Sequence, residues 1–268
     1  MNEPIVVLKN ATVVFAQAHS AGGALNGIDL AVASGEWLGI VGKNGSGKST
    51  LAQVIASVCP LSKGVVSVPE GRVQLLFQNP EAQIVGETVY EEVCFGMEVQ
   101  AVDPVQMPER AQASLAQVGL DVPLDHPVNH LSGGQKQLLN LAGCLAVKAQ
   151  VLVFDEATSM LDPASRERVL EIAHDLRQSG HTIIWVTQYM EELAHADRVL
   201  ALDAGCVAFV GEREAFFRQV DERISVCEQM GFTQPYAVQV AQHLQALGMN
   251  LAFLPVSTKQ LVEAVTGA

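Results

Sequence analysis

Basic residues are scarce in this 268-residue chain: 16 lysines and arginines stand against 29 aspartates and glutamates, a net charge of −13. That balance argues against a nucleic-acid partner held on a broad cationic face. Cysteine is sparse too. The five present (Cys59, Cys94, Cys144, Cys206 and Cys227) are odd in number, scattered and without a C-x-x-C pair, which argues against a disulfide framework or zinc site and for a reducing compartment. No apolar run approaches the length of about 18 residues that a membrane-spanning helix needs. The opening Met1-Asn2-Glu3-Pro4 has neither a basic nor an apolar export region. There is no internal repeat and no low-complexity tract.

What is there is ordinary globular material: 49% hydrophobic and 17% charged residues, enough for one large domain with a buried core and a small appendage. From residue 5 to 40, β-rich runs (Ile5 to Leu8, Ala11 to Phe15, Ile28 to Val32) alternate with turn residues and predict a small antiparallel sheet. Short apolar runs then recur at Leu38 to Val41, Val73 to Phe77, Val151 to Phe154, Ile183 to Val186 and Val199 to Leu202. Helical patterns such as Ala164 to Gln178 separate the later runs, so the sheet they form is predicted to be mostly parallel and covered on both faces. From about 80 to 147 the rhythm breaks into helices (Pro108 to Val118, Gly134 to Ala146), read as an insertion. After Arg213 a helical tail is expected. It comprises Glu214 to Met230 ending at Gly231, a helix begun near Pro235 with Val240, Ala241, Leu244 and Leu247 on one face, and a last helix capped by Ser257 with Gln260.

The chemistry begins at Gly42-Lys43-Asn44-Gly45-Ser46-Gly47-Lys48-Ser49-Thr50, a G-x-x-x-x-G-K-[ST] match between a strand-like run and a helical pattern. Backbone N–H groups in such a loop curl around phosphates, and the helix N-terminus that follows favours an anion. Lys48 is placed to reach the β/γ-phosphates and the Ser49 hydroxyl to ligate Mg²⁺. Val151 to Phe154 ends in Asp155 and Glu156. A carboxylate at the carboxyl end of a neighbouring parallel strand suits a magnesium ligand, here Asp155, and Glu156 can orient or deprotonate a water. Leu131-Ser132-Gly133-Gly134-Gln135-Lys136-Gln137 forms a second helix-start anion site. Two phosphate sites of different design suggest a head-to-tail dimer that sandwiches nucleotide between them.

Taken in order, these elements resemble the ATP-binding cassette (ABC) ATPases over residues 5 to about 212. The resemblance implies an α/β P-loop ATPase built of an antiparallel β subdomain and a helical subdomain (about 80–147) within a cassette of residues 1–213. A small helical extension, 214–268, follows as a dimerisation element. It implies ATP and Mg²⁺ as bound groups. Phe15 would stack on adenine; Gly42 to Thr50 would be the Walker A loop; Gln78 would be the Q-loop residue touching Mg²⁺ and sensing the γ-phosphate. Ser132, Gly133, Gly134 and Gln135 would be the signature loop, Asp155 and Glu156 the Walker B pair, and Ser159-Met160-Leu161-Asp162 the D-loop. Plainer roles stand beside some of these: Phe15 as a core aromatic, Gln78 as a turn residue, Asp162 as a helix cap ahead of Pro163. The family's usual switch histidine is replaced by Gln188. Glutamine keeps a donor but cannot ionise, and Gln188 is expected to contact the γ-phosphate while Glu156 carries catalysis, a slow or degenerate site being the competing reading.

Gln78-Asn79-Pro80-Glu81-Ala82-Gln83, the Glu91-Glu92-Val93 and Phe95-Gly96 steps, Gln188-Tyr189-Met190-Glu191-Glu192 and the short helical tail further resemble the energy-coupling-factor (ECF) importers of vitamins and of cobalt or nickel. The partners this implies are a second cassette, identical or different, a transmembrane scaffold and a small substrate-binding membrane subunit, with the chain peripheral on the cytoplasmic face of the membrane. A cassette of another transporter class is the nearest alternative. A soluble cassette of DNA repair or translation is disfavoured by the single acidic cassette, and a P-loop kinase or GTPase would leave Ser132 to Gln137 without a use.

Overall fold

The computed structural model describes residues 3–15, 23–219 and 224–267. Strand β1 (Pro4–Val13) pairs antiparallel with β2 (Leu25–Ala33). Its inward set is Val6 and Leu8, then Ala11 and Val13, so the alternation slips by one residue part-way. A bulge absorbs the slip: the register shifts between Leu8 and Ala11, and Asn10 takes the left-handed conformation (φ +49°). That is why the sequence reads as two runs where the chain forms one strand.

Strand β3 (Trp37–Gly42) runs through the glycine loop into α1 (Lys48–Ile55); β4 (Lys63–Ser67) returns to the far side of β1 and completes a three-stranded sheet. The second sheet takes β5 (Val73–Leu76), β6 (Val151–Asp155), β7 (Thr182–Val186), β8 (Arg198–Asp203) and β9 (Cys206–Glu212), in the order β5-β6-β7-β3-β8-β9. All neighbours are parallel except the β8–β9 hairpin. Every residue of β3, β6 and β7 is buried, as expected of parallel strands covered on both faces. The two faces feed two cores. Leu38 and Ile40 pack with α1 and the antiparallel sheet, whereas Trp37 and Val41 pack under the helices. On the helical side Trp185 stacks at 5.4 Å from Trp37 and 4.6 Å from Phe154.

Register decides where function can sit. Asp155 lies opposite Val186, and Val186 opposite Ile40. The carboxyl ends of β6, β7 and β3 are therefore level, and the segments that leave them open onto one edge of the sheet, where ligands of such sheets bind.

Between β5 and β6 the chain forms α2 (Val89–Val99), α3 (Met107–Gln117) and α4 (Gly133–Ala146). Helix α2 starts at a complete Thr88–Glu91 capping box. Helix α5 (Pro163–Gln178) joins β6 to β7. The tail holds α6 (Arg213–Phe217), α7 (Val226–Gln229), α8 (Tyr236–Ala246) and α9 (Thr258–Thr266).

The tail departs from expectation in two ways. Glu214 to Met230 is not one helix: Arg218 already has extended backbone, α7 starts afresh at its own Ser225–Glu228 capping box, and part of the span lies outside the described residues. Helix α8 buries Ala237, Val238 and Ala241, while Leu247 is 85% exposed. The apolar face is rotated toward the helix start, where Phe216, Phe217 and Cys227 share its core.

Candidate functional site

Gly47 is the N-cap of α1 and sits at φ +100° with the Ala24 carbonyl 2.4 Å from where a Cβ would be. Only glycine fits that turn. It lets Lys48, its side chain 4% exposed, fold back over the loop, where its ammonium donates to the carbonyls of Gly42 (2.9 Å) and Lys43 (3.3 Å). The Ser46 hydroxyl is buried in the same loop with no hydrogen-bond partner among the described residues. An orphaned hydroxyl and a lysine resting on carbonyls form a cradle shaped for an anion.

Across the cradle the end of β6 supplies the acids. The Ser49 hydroxyl donates to Asp155 Oδ1 at 2.9 Å. Burial raises the Asp155 carboxyl above its usual range, and neighbouring Glu156 adds to this; the Ser49 bond and Lys48 work the other way. Glu156 holds the left-handed backbone conformation (φ +50°), rare for a residue with a side chain, with its N–H bonded to the Val186 carbonyl at 3.0 Å. Its carboxylate stands 3.6 Å from Lys48 Nζ. From the end of β7, the Gln188 side-chain amide donates to both Glu156 oxygens, at 2.9 and 2.8 Å. Because a carboxylate only accepts, the amide NH₂ must be the group facing it.

Lys48, Ser49, Glu156 and Gln188 line one cleft of about 430 Å³ with Asn44, Gly45, Gly47, Thr50, Gln78 and Ala24, and Asp155 joins it through Ser49. Ala24 carries no sequence signal, since β2 brings it there only through the fold. The remaining expected ligands are elsewhere. Phe15 stands half-exposed past the end of β1, outside that lining. Ser132 caps α4 by accepting from the Gln135 N–H, and Gln135 returns the bond to the Ser132 N–H. Gly133 has open space around it, and Gly134 touches Ser165 so closely that a Cβ would lie 2.4 Å from its hydroxyl. Asp162 caps α5 through Ala164 and Ser165, whose hydrogen bonds hold its carboxyl below the usual range. A larger cleft, about 720 Å³, lies between α5, the turn Met190–His195 and α9. It is walled by residues of both charges, with the N-terminus of α9 at Ser257 on one side and no glycine among its lining residues.

The ABC transporter family model matches residues 25–159. An energy-coupling factor transporter ATP-binding protein, EcfA1, of Halalkalibacterium halodurans is 40% identical over 259 residues, covering 92% of each chain. The chain belongs to the ECF-type ABC transporter ATPases. EcfA1 of Geobacillus kaustophilus agrees at 36% identity, with 98% of this chain and 97% of that protein covered. Among solved structures, cbiO1 of Clostridium perfringens, described as part of the ABC transporter complex cbiONQ, superposes with a TM-score of 0.72 at 26% identity, over 91% of this chain and all of that one. The dimeric cassette MJ0796 bound to ADP and Pi shares the fold at 24% identity, with a TM-score of 0.68 over 80% of this chain. The cassette therefore binds and hydrolyses ATP, and does so as the ATPase component of an ECF transporter.

Proposed function

We propose that the cleft over α1 is the hydrolytic half-site and that Lys48, Asp155, Glu156 and Gln188 carry its chemistry. The convergence of these four at the level carboxyl ends of β3, β6 and β7 is the observation on which the reading rests. Lys48 neutralises the β/γ-phosphates, leaving its carbonyl partners and Glu156 as nucleotide enters. Glu156 orients the attacking water and accepts its proton. Gln188 holds both oxygens of Glu156 and so selects the rotamer that faces the cleft, a position from which it would also contact the γ-phosphate.

The oxygen donors of Ser49 and Asp155 fit a hard divalent cation, and a buried carboxyl with a raised pKa is one that a cation would stabilise. With Gln78 at the rim they would hold Mg²⁺, which supplies charge neutralisation on the transferring phosphoryl group.

The second half of the site comes from another cassette. Ser132 to Gln135 make an N-terminal turn whose Gly133 is open on its outer side, and they line no part of this chain's own cleft. Two cassettes facing head to tail would bring each signature turn to the other's phosphates, with Asp162 beside it. Helix α9 is proposed to strengthen this pairing: Leu261 and Ala264 pack inward while Val262 and Val265 remain exposed.

No helix among the described residues is long and apolar enough to cross a membrane, so coupling runs through partners. A groove of about 690 Å³ between Glu81, Ile84, Thr88, Pro127, Asn129 and Lys136 opens beside the Gln78 segment. It offers a seat for a transmembrane scaffold, itself joined to a small membrane subunit that binds a vitamin or a cobalt or nickel ion. The deciding experiment is tagged purification from gently solubilised membranes. Recovery of a scaffold and a small binding subunit supports uptake by an ECF importer at the cytoplasmic face. Recovery of the chain alone, or with ribosomes or DNA, rejects it.

A further inference from the structure

The link between Gln188 and Glu156 has a counterpart behind the cleft. Thr158 lies two residues beyond Glu156, and Thr187 lies just before Gln188. Both hydroxyls donate to one carboxylate: Thr158 Oγ1 to Glu192 Oε1 at 2.6 Å and Thr187 Oγ1 to Glu192 Oε2 at 2.5 Å. The Trp185 indole N–H adds a third bond, to Oε2, at 2.9 Å. Glu192 is 3% exposed, and the Arg166 guanidinium stands 3.8 Å away while covering the Tyr189 ring at 4.0 Å.

A buried carboxylate with three donors is costly to place and has one obvious geometric effect here: it ties the loop that carries Glu156 to the loop that carries Gln188. The turn that holds it, Met190–His195, is itself fixed, since the Ala194 carbonyl accepts from Gln260 of α9 at 2.7 Å and from Arg213. We propose that Glu192 is a positioning residue for ATP hydrolysis, clamping the Glu156 and Gln188 loops from behind so that the amide meets both carboxylate oxygens. The inference rests on the reading of Glu156 and Gln188 as the hydrolytic pair.

The test is a double-mutant cycle on the full chain in its purified transporter complex, with kcat, KM for ATP and Tm measured for each variant. Glu192→Ala should lower kcat by up to about tenfold, no more than loss of the Gln188 contact itself and the scale of a catalytic group slightly displaced, with KM changed by no more than about threefold. Glu192→Gln should restore most of the turnover, because its oxygen still accepts from Trp185 and Thr187 and its amide can donate to Thr158. Should Glu192→Ala fail to fold, Thr158→Val severs the same clamp by removing one hydroxyl.

In a Gln188→Ala background either substitution should cost little more, since the contact it positions is already gone. Equal fold-losses in both backgrounds would overturn the role of Glu192, as would a lowered Tm with unchanged kcat, or Glu192→Gln as slow as Glu192→Ala. Wild-type turnover in Gln188→Ala would instead overturn the hydrolytic pair itself.

Discussion

Gln188 gives both of its amide hydrogen bonds to one partner, Glu156, at 2.9 and 2.8 Å. A histidine there could offer a single N–H in that direction and would add charge when protonated. Glutamine makes the contact neutral and independent of pH near 7. Replacing Glu156 with Gln should therefore reduce ATP turnover by about 100-fold or more while ATP binding persists, the loss expected for a general base. Gln188→Ala should be milder, near tenfold, because Glu156 remains but is free to rotate. Gln188→His should stay within about threefold of wild type in single-turnover assays. A large gain in that variant would show the native site to be a degenerate one.

Asp155 yields a prediction of a different kind. Its pKa is raised in the folded chain by burial first and by Glu156 second, so the folded state binds the proton more tightly than the unfolded state does. Without nucleotide and metal, stability must then fall as pH rises from the ordinary carboxylate range through the raised value. Asp155→Asn removes the buried charge and should raise the Tm of the ligand-free protein at neutral pH while abolishing the stabilisation that Mg·ATP provides. Thermal scans with and without Mg·ATP check both halves. An unchanged response of the variant to Mg·ATP would remove Asp155 from the metal site.

The parts of this site visible in the sequence are those where chemistry dictates the residues locally. Gly47 is needed for a turn, Lys48 and Ser49 follow it at fixed offsets, and Asp155 ends an apolar run that can only be a buried strand. Burial patterns likewise revealed β3, β6, β7 and β8. What stayed hidden depends on contacts between distant segments. The β4 edge strand is mostly exposed and short, so it has little alternation to read. The face of α8 is set by where Phe216 and Phe217 arrive, not by its own period. Glu192 looks like one of two adjacent surface acids until Thr158, Trp185 and Thr187 close around it. Gln188's partner could not be chosen either, because Glu156 reaches it through a left-handed backbone that no sequence pattern announces.

Helix α9 allows the pairing of cassettes to be separated from folding. Deleting the tail from residue 216 would remove Phe216, Phe217, Leu251, Leu254 and Val256, all buried in the main core, and would test stability instead. Val262 and Val265, 58% and 47% exposed, can be changed without that cost. Val262→Glu with Val265→Glu should leave Tm within about 2 °C, as surface substitutions do. It should shift the light-scattering mass toward monomer in the ATP-bound Glu156→Gln background. An unchanged dimer would free α9 from any role in association.

His195 sets an acid limit on the fold. Its ring lies 4.5 Å from His174 and 5.6 Å from Trp37. Burial above all, then the positive surroundings of His174, Arg213, Lys259 and Arg177, lowers its pKa to about 4 from an ordinary 6.5. A base with a depressed folded pKa binds its proton more readily when unfolded. Stability is therefore intact above about 6.5 and drains away as pH falls toward 4. His195→Asn keeps a polar group of similar reach without an ionising ring, and its stability curve should be flatter over that interval. The two proteins should differ at neutral pH mainly by lost packing against Trp37, and the gap between their Tm values should narrow by several degrees at pH 5. Parallel curves would mean that another group sets the acid limb, with three of the acids that line the α5–α9 cleft, Glu171, Asp175 and Glu263, the next to replace.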